Sequence, residues 1–91
     1  MKVVCQGSVK FVNKKEFVKE QAGVKEDVTY YKNTIKDNGS GQLISFNSDE
    51  AVYQEDDILQ LEGELEFKEY KGKMYMSIDK PVVKKMVLSF V

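Results

Sequence analysis

The chain has 91 residues, 42% hydrophobic and 32% charged, and a formal net charge of −1. This composition favours one small folded domain, residues 1–91, over a disordered or multidomain chain. Histidine, tryptophan and arginine are absent, so the commonest general base, the commonest metal ligand and the best reader of guanine are missing. We therefore expect neither an enzyme, nor a metal or cofactor site, nor a sequence-specific reader of duplex DNA.

The N-terminal segment and the single cysteine favour a cytoplasmic location. Residues 1–5 lead directly into a strand pattern, without the apolar core and cleavage site of a signal peptide. No apolar run approaches the ~20 residues that span a bilayer, so we expect no membrane contact. Cys5 has no partner for an internal disulfide and lies on a predicted inward face, which suggests a core side chain rather than a nucleophile.

The first third of the chain predicts two strands. The inward side chains of the first strand alternate with outward ones, and Gly7 predicts a bend. These inward residues are Val3, Cys5, Gly7, Val9 and Phe11. Residues 13–16 look like a turn and residues 19–27 like a polar loop. Residues 28–35, rich in β-branched and aromatic side chains, predict the second strand.

The middle of the chain predicts a turn, a strand and a short connection. Residues 37–41 contain an Asn-Gly pair, which supplies the positive φ angles of a tight hairpin. A third strand follows at residues 42–47. Residues 48–54 predict one or two helical turns with Ser48 as the N-cap. The acidic residues 55–57 indicate a solvated turn.

Residues 58–67 predict a fourth strand with a clear period of two. Its inward residues are Leu59, Leu61, Gly63, Leu65 and Phe67. The outward side chains are mostly acidic, at Glu62, Glu64 and Glu66. We therefore expect that this outer face of the strand does not bind nucleic acid.

The end of the chain predicts a hairpin and an apolar tail. The chain turns through residues 70–73 into a fifth strand, on which Tyr75 lies on the face opposite to Met74 and Met76. Pro81 ends this strand or places it on a sheet edge. Residues 82–91 form an apolar tail, interpreted as a further strand or a dimer contact.

This element order predicts an all-β, five-stranded antiparallel OB-fold-like barrel, with a short helical or loop connection between strands 3 and 4. An SH3-like barrel has a similar number of strands and stays open as an alternative.

Two stretches resemble small single-stranded DNA-binding proteins of phage and bacterial type. Residues 30–37 and 41–46 look like their second and third strands, and residues 61–80 like their fourth and fifth. The latter also resemble the projecting hairpin of filamentous-phage gene V proteins. The resemblance implies an OB-fold dimer or higher homo-oligomer that coats single strands in DNA replication, recombination or phage and plasmid transfer.

Two departures from these families stand out. The chain ends in apolar residues instead of the acidic tail of the bacterial tetrameric proteins, and lysines replace the arginines of gene V proteins. Lysine still neutralises a phosphate, although with less geometric selectivity than arginine.

The charges fall into three blocks along the chain. Residues 1–36 hold eight lysines and four acids, residues 37–69 one lysine and ten acids, and residues 70–91 five lysines and one acid. In an OB-fold the loops after strands 1 and 4 flank the binding face, which would bring the two basic blocks together. The lysines expected to contact phosphates are Lys14, Lys15, Lys32, Lys71 and Lys73. The alternative is that these side chains only make the loops soluble.

Aromatic rings at a strand turn suggest stacking on bases. If Ile35 points inward, alternation places Tyr31 inward and Tyr30 outward. The predicted stacking rings are Tyr30, Tyr70 and Tyr75, while Phe46 is expected in the core. Cations and rings together predict binding of single-stranded DNA, with RNA as another possible ligand. The alternative function is a β-barrel module that binds another protein through its apolar tail.

Overall fold

The computed structural model describes residues 2–86, which form five strands. Their bounds are β1 Lys2–Gln21, β2 Val24–Asp37, β3 Leu43–Ser48, β4 Ile58–Tyr70 and β5 Lys73–Met86. The strands close a barrel in the order β1-β2-β3-β5-β4. The all-β, five-stranded architecture is confirmed, but β3 and β5 run parallel, so the expectation of a purely antiparallel sheet is wrong. Strand directions cannot alternate all the way around a ring of five.

The barrel is filled by a small, mostly aliphatic core. Its buried side chains come from all five strands, and Phe46 is among them as expected. They are Val9, Ile35, Ile44, Phe46, Leu59, Leu61 and Ile78. Asn33 is buried beside them, and its Nδ2 donates hydrogen bonds to the Phe46 carbonyl (3.4 Å) and the Ser48 hydroxyl (3.0 Å). This amide ties β2 to the end of β3.

The predicted turn at residues 13–16 and the predicted loop at residues 19–27 are wrong. β1 continues to Gln21, and β2 begins at Val24. The two-residue turn between them has φ values of 52° and 78°, at Ala22 and Gly23, which match the right-handed twist of a two-stranded ribbon. The register pairs Lys19 with Glu26 and Glu20 with Lys25 across the ribbon. These opposite charges stabilise strands where the polar composition suggests a loop.

A β-bulge in β1 overturns the inward placement of Phe11. Val9 pairs with Ile35, but Phe11 pairs with Thr34, so Lys10 is an extra residue in this strand. The extra residue reverses the alternation from this point onward. Phe11 consequently points outward, with 55% of its surface exposed, and Val12 packs against the core.

β5 continues past Pro81 to Met86, so the prediction that Pro81 ends this strand is wrong. The β4–β5 register shifts between Glu62, opposite Val82, and Glu64, opposite Asp79. Pro81 lies inside this irregularity, where its missing N–H costs no regular ladder bond. Residues 82–86 of the predicted tail are therefore part of β5. Residues 87–91 lie outside the described residues.

The connection between β3 and β4 is a loop, and the helical alternative is wrong. The Ser48 hydroxyl does not cap a helix but donates to the Glu50 carbonyl (2.9 Å). Asp57 Oδ2 accepts from the Gln54 N–H (2.9 Å) and forms an ion pair with Lys85 Nζ (3.1 Å). The Gln54 hydrogen bond, aided by Lys85, lowers the pKa of the Asp57 carboxyl. This part of the acidic turn is thus a structural element of the loop.

Asp37 holds the turn between β2 and β3. Its Oδ2 accepts hydrogen bonds from the Ser40 N–H (2.9 Å) and the Ser40 hydroxyl (2.8 Å). These bonds lower the pKa of the Asp37 carboxyl. The positive φ of 74° belongs to Gly41, not to the Asn-Gly pair. The position of the predicted turn is confirmed, but its conformational basis is different.

No helix capable of crossing a membrane occurs within residues 2–86.

Gly7 is where β1 passes from one neighbour to the other, so an alanine there should destabilise the barrel. Gly7 pairs with both Asp37 of β2 and Leu59 of β4. A Cβ at this position would collide with the Lys36 carbonyl group. We expect Gly7→Ala to lower the free energy of unfolding by about 1–3 kcal/mol or more, measured by urea denaturation. The matched control is Gly39→Ala, whose Cβ would be 3.5 Å from the nearest atom. If the two variants have the same urea midpoint, the close approach of Gly7 to the Lys36 carbonyl group is contradicted.

The low pKa of Asp37 predicts how stability depends on acid. A carboxyl with a lowered folded pKa stabilises the protein above its unfolded pKa of about 3.9, and this stabilisation is lost as the pH falls through the folded value. We expect Asp37→Asn to be less stable than the wild type at neutral pH and to lose less stability on acidification. Urea denaturation at a series of pH values measures both effects. Asp27→Asn, in the exposed ribbon, is the charge-matched control. If Asp37→Asn loses as much stability on acidification as the wild type does, the stabilising role of the Asp37 carboxylate is refuted.

Candidate nucleic-acid interface

One outer face of the barrel continues across four strands. Residues that lie opposite each other in paired strands point to the same side of the sheet, as do residues two apart on one strand. The pairs that carry this face from β2 to β4 are Lys32–Asn47, Ser45–Ser77 and Tyr75–Lys68. Side chains far apart in the sequence are thereby brought together on a continuous surface.

This face contains a groove of about 430 Å³, which we call the tyrosine–lysine groove. Its lining residues are Tyr30, Lys32, Ser45, Asn47, Lys68, Tyr70, Tyr75 and Ser77. Three tyrosines and two lysines thus converge with small polar side chains. The lining contains no carboxylate, although the chain has fifteen acidic residues.

Cations and rings are in contact at this groove. Lys32 Nζ lies 5.9 Å from the ring centroid of Tyr75, and Lys71 Nζ lies 5.3 Å from that of Tyr70. Both distances fit cation–π attraction. Tyr70 and Tyr75 are 63% and 44% exposed, so much of their ring surface remains open to a ligand. Each cation is thereby held beside a surface on which a base can stack.

Tyr30 is oriented by a neighbouring ring. Phe17 of β1 meets it edge to face, with 5.9 Å between centroids. Tyr30 lies on the outer face and Tyr31 on the opposite one, in the order that the alternation from Ile35 predicts.

The other predicted residues divide between two faces. Lys15 lies opposite Tyr30 and Lys73 opposite Tyr70, so both share the face of the groove. Lys71 is in the β4–β5 turn, where its φ is 51°. Seven of the eight predicted residues are therefore on this face or at its hairpin.

Lys14 is the exception. It lies opposite Tyr31, on the other side of the sheet, and its Nζ forms an ion pair with Glu16 (3.2 Å). The structure therefore does not bring Lys14 together with the groove residues, because strand alternation, which replaces the expected turn, separates it from Lys15.

The acidic outer face of β4 was expected not to bind nucleic acid, and the structure places it on the same side of the sheet as the tyrosine–lysine groove. Glu66, Lys68 and Tyr70 are two residues apart and share one side of the strand. Lys68 Nζ forms an ion pair with Glu66 (3.6 Å). The acidic row therefore continues directly into the lysine and tyrosine of the groove, and Glu66 borders it.

Sequence reasoning missed Lys68 and a second groove beside the first. This groove, of about 630 Å³, we call the apolar groove. It is lined by Phe11, Lys32, Thr34, Gln42, Leu43, Ser45, Phe67, Met74, Tyr75 and Met76. Lys68 could have been found by counting two residues back from Tyr70. Phe11 and Phe67 could not, because alternation assigned both to the core.

Cys5 and the acidic residues are the side chains within residues 2–86 on which a metal site or a reactive thiol would depend. Within residues 2–86, no three His, Cys, Asp or Glu side chains are grouped to hold a metal ion. Burial raises the pKa of the Cys5 thiol, and the charge of Asp37 raises it further. A raised pKa disfavours the reactive thiolate.

The comparisons with known proteins identify the fold. The chain matches no protein-family model and no curated protein. Among solved structures it is similar to the OB domain of Ta0387 from Thermoplasma acidophilum, determined by solution NMR. The TM-score is 0.61 with 18% sequence identity, over 99% of this chain and 79% of that one. The protein therefore has an OB fold, and the finer resemblance to phage-type single-stranded DNA-binding proteins stays a prediction.

Proposed function

We propose that this protein binds single-stranded DNA with little sequence preference. The observation that carries the proposal is the tyrosine–lysine groove, where three rings and two lysines meet without a carboxylate in the lining. Its location on the outer face of an OB fold supports the proposal, because the corresponding face and loops of this fold bind oligonucleotides.

The groove has the two components that single-strand binding requires. Lysines neutralise phosphates and release counterions, which makes affinity depend on salt. Tyrosine rings stack on bases of any sequence, because every base has a π-face. The chain has no arginine to read guanine bidentately, which favours a binding and coating role over recognition of a specific site.

A small binding module of this kind suits replication, recombination or the transfer of phage and plasmid DNA, in which single strands are exposed. On this proposal the protein is not an enzyme, and its homo-oligomers cover longer strands. A protein-interaction module remains the competing proposal. Its defining element is the apolar tail of residues 82–91, of which residues 82–86 belong to β5 and residues 87–91 lie outside the described residues.

Tyr75 is the ring whose loss should weaken binding most clearly, because it is exposed and contacts Lys32. We expect Tyr75→Ala to reduce affinity for a ~30-nucleotide oligo(dT) by about 1–3 kcal/mol, the usual value of a base–aromatic stack. The measurement is fluorescence anisotropy of end-labelled oligo(dT), with unlabelled duplex as competitor.

The matched control is Tyr75→Phe, which keeps the ring and should bind almost as the wild type does. Wild-type affinity in Tyr75→Ala would place the stacking surface elsewhere. A wild type that does not bind oligo(dT) at low salt would refute the proposed function.

The lysines of the β4–β5 hairpin should contribute to the salt dependence of binding. If Lys71 and Lys73 each neutralise a phosphate, Lys71→Ala/Lys73→Ala should reduce the slope of log K against log salt by about 1.4, from 0.7 per phosphate on single strands. Titrations between low and physiological salt measure this slope.

Lys19→Ala/Lys25→Ala is the charge-matched control. It removes the same two charges, but from the ribbon, where each lysine lies opposite a glutamate. Its slope should equal that of the wild type. If the two double variants change the slope equally, binding responds to net charge and not to contacts at the hairpin.

A further inference from the structure

The apolar groove is an unusual feature for so small a barrel. Phe11, Leu43, Phe67 and Met74 all line it, and each has about half or more of its surface exposed. Large exposed hydrophobic side chains that lie together mark a ligand groove or an interface. Burying these side chains would be favourable, so this surface fits an occupant with apolar area of its own.

The apolar groove opens directly onto the tyrosine–lysine groove. Lys32, Ser45 and Tyr75 line both. A strand stacked on Tyr75 with a phosphate near Lys32 would pass along the mouth of the apolar groove. The two grooves are therefore contiguous at these three residues, although Phe67, Met74 and Met76 of the apolar groove lie on the other side of the β4–β5 hairpin from Tyr75.

The lining of the apolar groove fits the chemistry of a nucleobase. A base has two apolar faces and a polar edge. The groove offers apolar side chains together with Thr34, Gln42 and Ser45 as hydrogen-bonding partners, and Lys32 is its only charged residue. The lining contains no carboxylate that would repel the phosphate attached to the base. Its volume of about 630 Å³ lies in the range of pockets that hold small organic ligands.

We infer that the apolar groove receives an unpaired base from the strand held in the tyrosine–lysine groove. This inference rests on the proposed function and deepens it. A paired base is stacked in its duplex and must be flipped out at a cost of a few kcal/mol before it can enter a pocket. The apolar groove therefore favours single strands over duplex, whereas the lysines attract both.

A second copy of this chain fits the same groove less well. In a two-fold dimer the same patch would meet itself. Each copy would then bring its Lys32 into the interface with no carboxylate in either lining to offset it. Burying a charge without a partner is unfavourable.

The test uses two serine variants in the apolar groove, Met74→Ser and Leu43→Ser. Met74 and Leu43 are 68% and 49% exposed, so both variants should fold. Circular dichroism checks that they do. Val82→Ser is the matched control, since Val82 is 71% exposed and outside both grooves. Affinities for oligo(dT) and for a duplex of equal length are measured by anisotropy. Sedimentation velocity without DNA measures the oligomeric state.

We expect each groove variant to bind oligo(dT) roughly 5- to 50-fold more weakly, by analogy with the loss of one base stack, with an unchanged salt slope. Duplex binding should stay at the wild-type level, so the preference for single strands falls. Val82→Ser should match the wild type in both assays.

Three results would overturn the inference. If Tyr75→Ala weakens binding but both serine variants bind oligo(dT) like the wild type, the proposed function stands and the base pocket is refuted. If the serine variants dissociate a wild-type dimer and have no direct effect on DNA binding, the groove is an interface between copies. If the wild type fails to bind oligo(dT), the proposed function and this inference fail together.

Discussion

The structure depends on how β1 is shared between two neighbours. Its first part pairs with β4 and its later part with β2, and Gly7 and Ser8 pair with both. A strand can bridge two partners in this way only if it bends sharply. Gly7 permits the bend because the Lys36 carbonyl occupies the space of a Cβ, and the bulge at Lys10 adds local twist. Both features favour the curvature that a closed barrel requires, and closure leaves no long unprotected sheet edge.

The bulge in this part of β1 also determines which side chains lie on the candidate interface. Because the bulge shifts the alternation by one residue, Phe11 and Lys15 reach the outer face while Val9 and Val12 pack inward. β1 and β2 then continue together beyond the barrel as a ribbon. The conformational requirement of barrel closure thus sets the composition of the candidate interface.

The prediction from sequence succeeded where the pattern was local and failed where it depended on register. The period-two pattern and the Lys-Gly turn identified the β4–β5 hairpin, and alternation from Ile35 placed Tyr30 correctly. The bulge could not be foreseen because it changes no residue type, so Phe11 kept the appearance of a core residue. The ribbon was missed because its opposing charges become informative only when the register is known. For the same reason Lys14 and Lys15 looked equivalent, although alternation places them on opposite faces.

The distribution of charge around the groove matters more than the net charge of −1. Surface charges act mainly within a Debye length of about 10 Å at 0.1 M salt. A recess next to the tyrosine–lysine groove shares Ser45, Asn47, Lys68 and Ser77 with it. Its further charged lining residues are Asp49, Glu66, Asp79 and Lys80. The apolar groove adjoins the same surface and has no carboxylate in its lining.

On the proposed function, a polyanion in the tyrosine–lysine groove would meet more negative charge at the recess than at the apolar groove. Glu66 reaches the groove only through its ion pair with Lys68. This local separation of charges shows how a chain with more acids than lysines can present a groove that has lysines and no carboxylate in its lining.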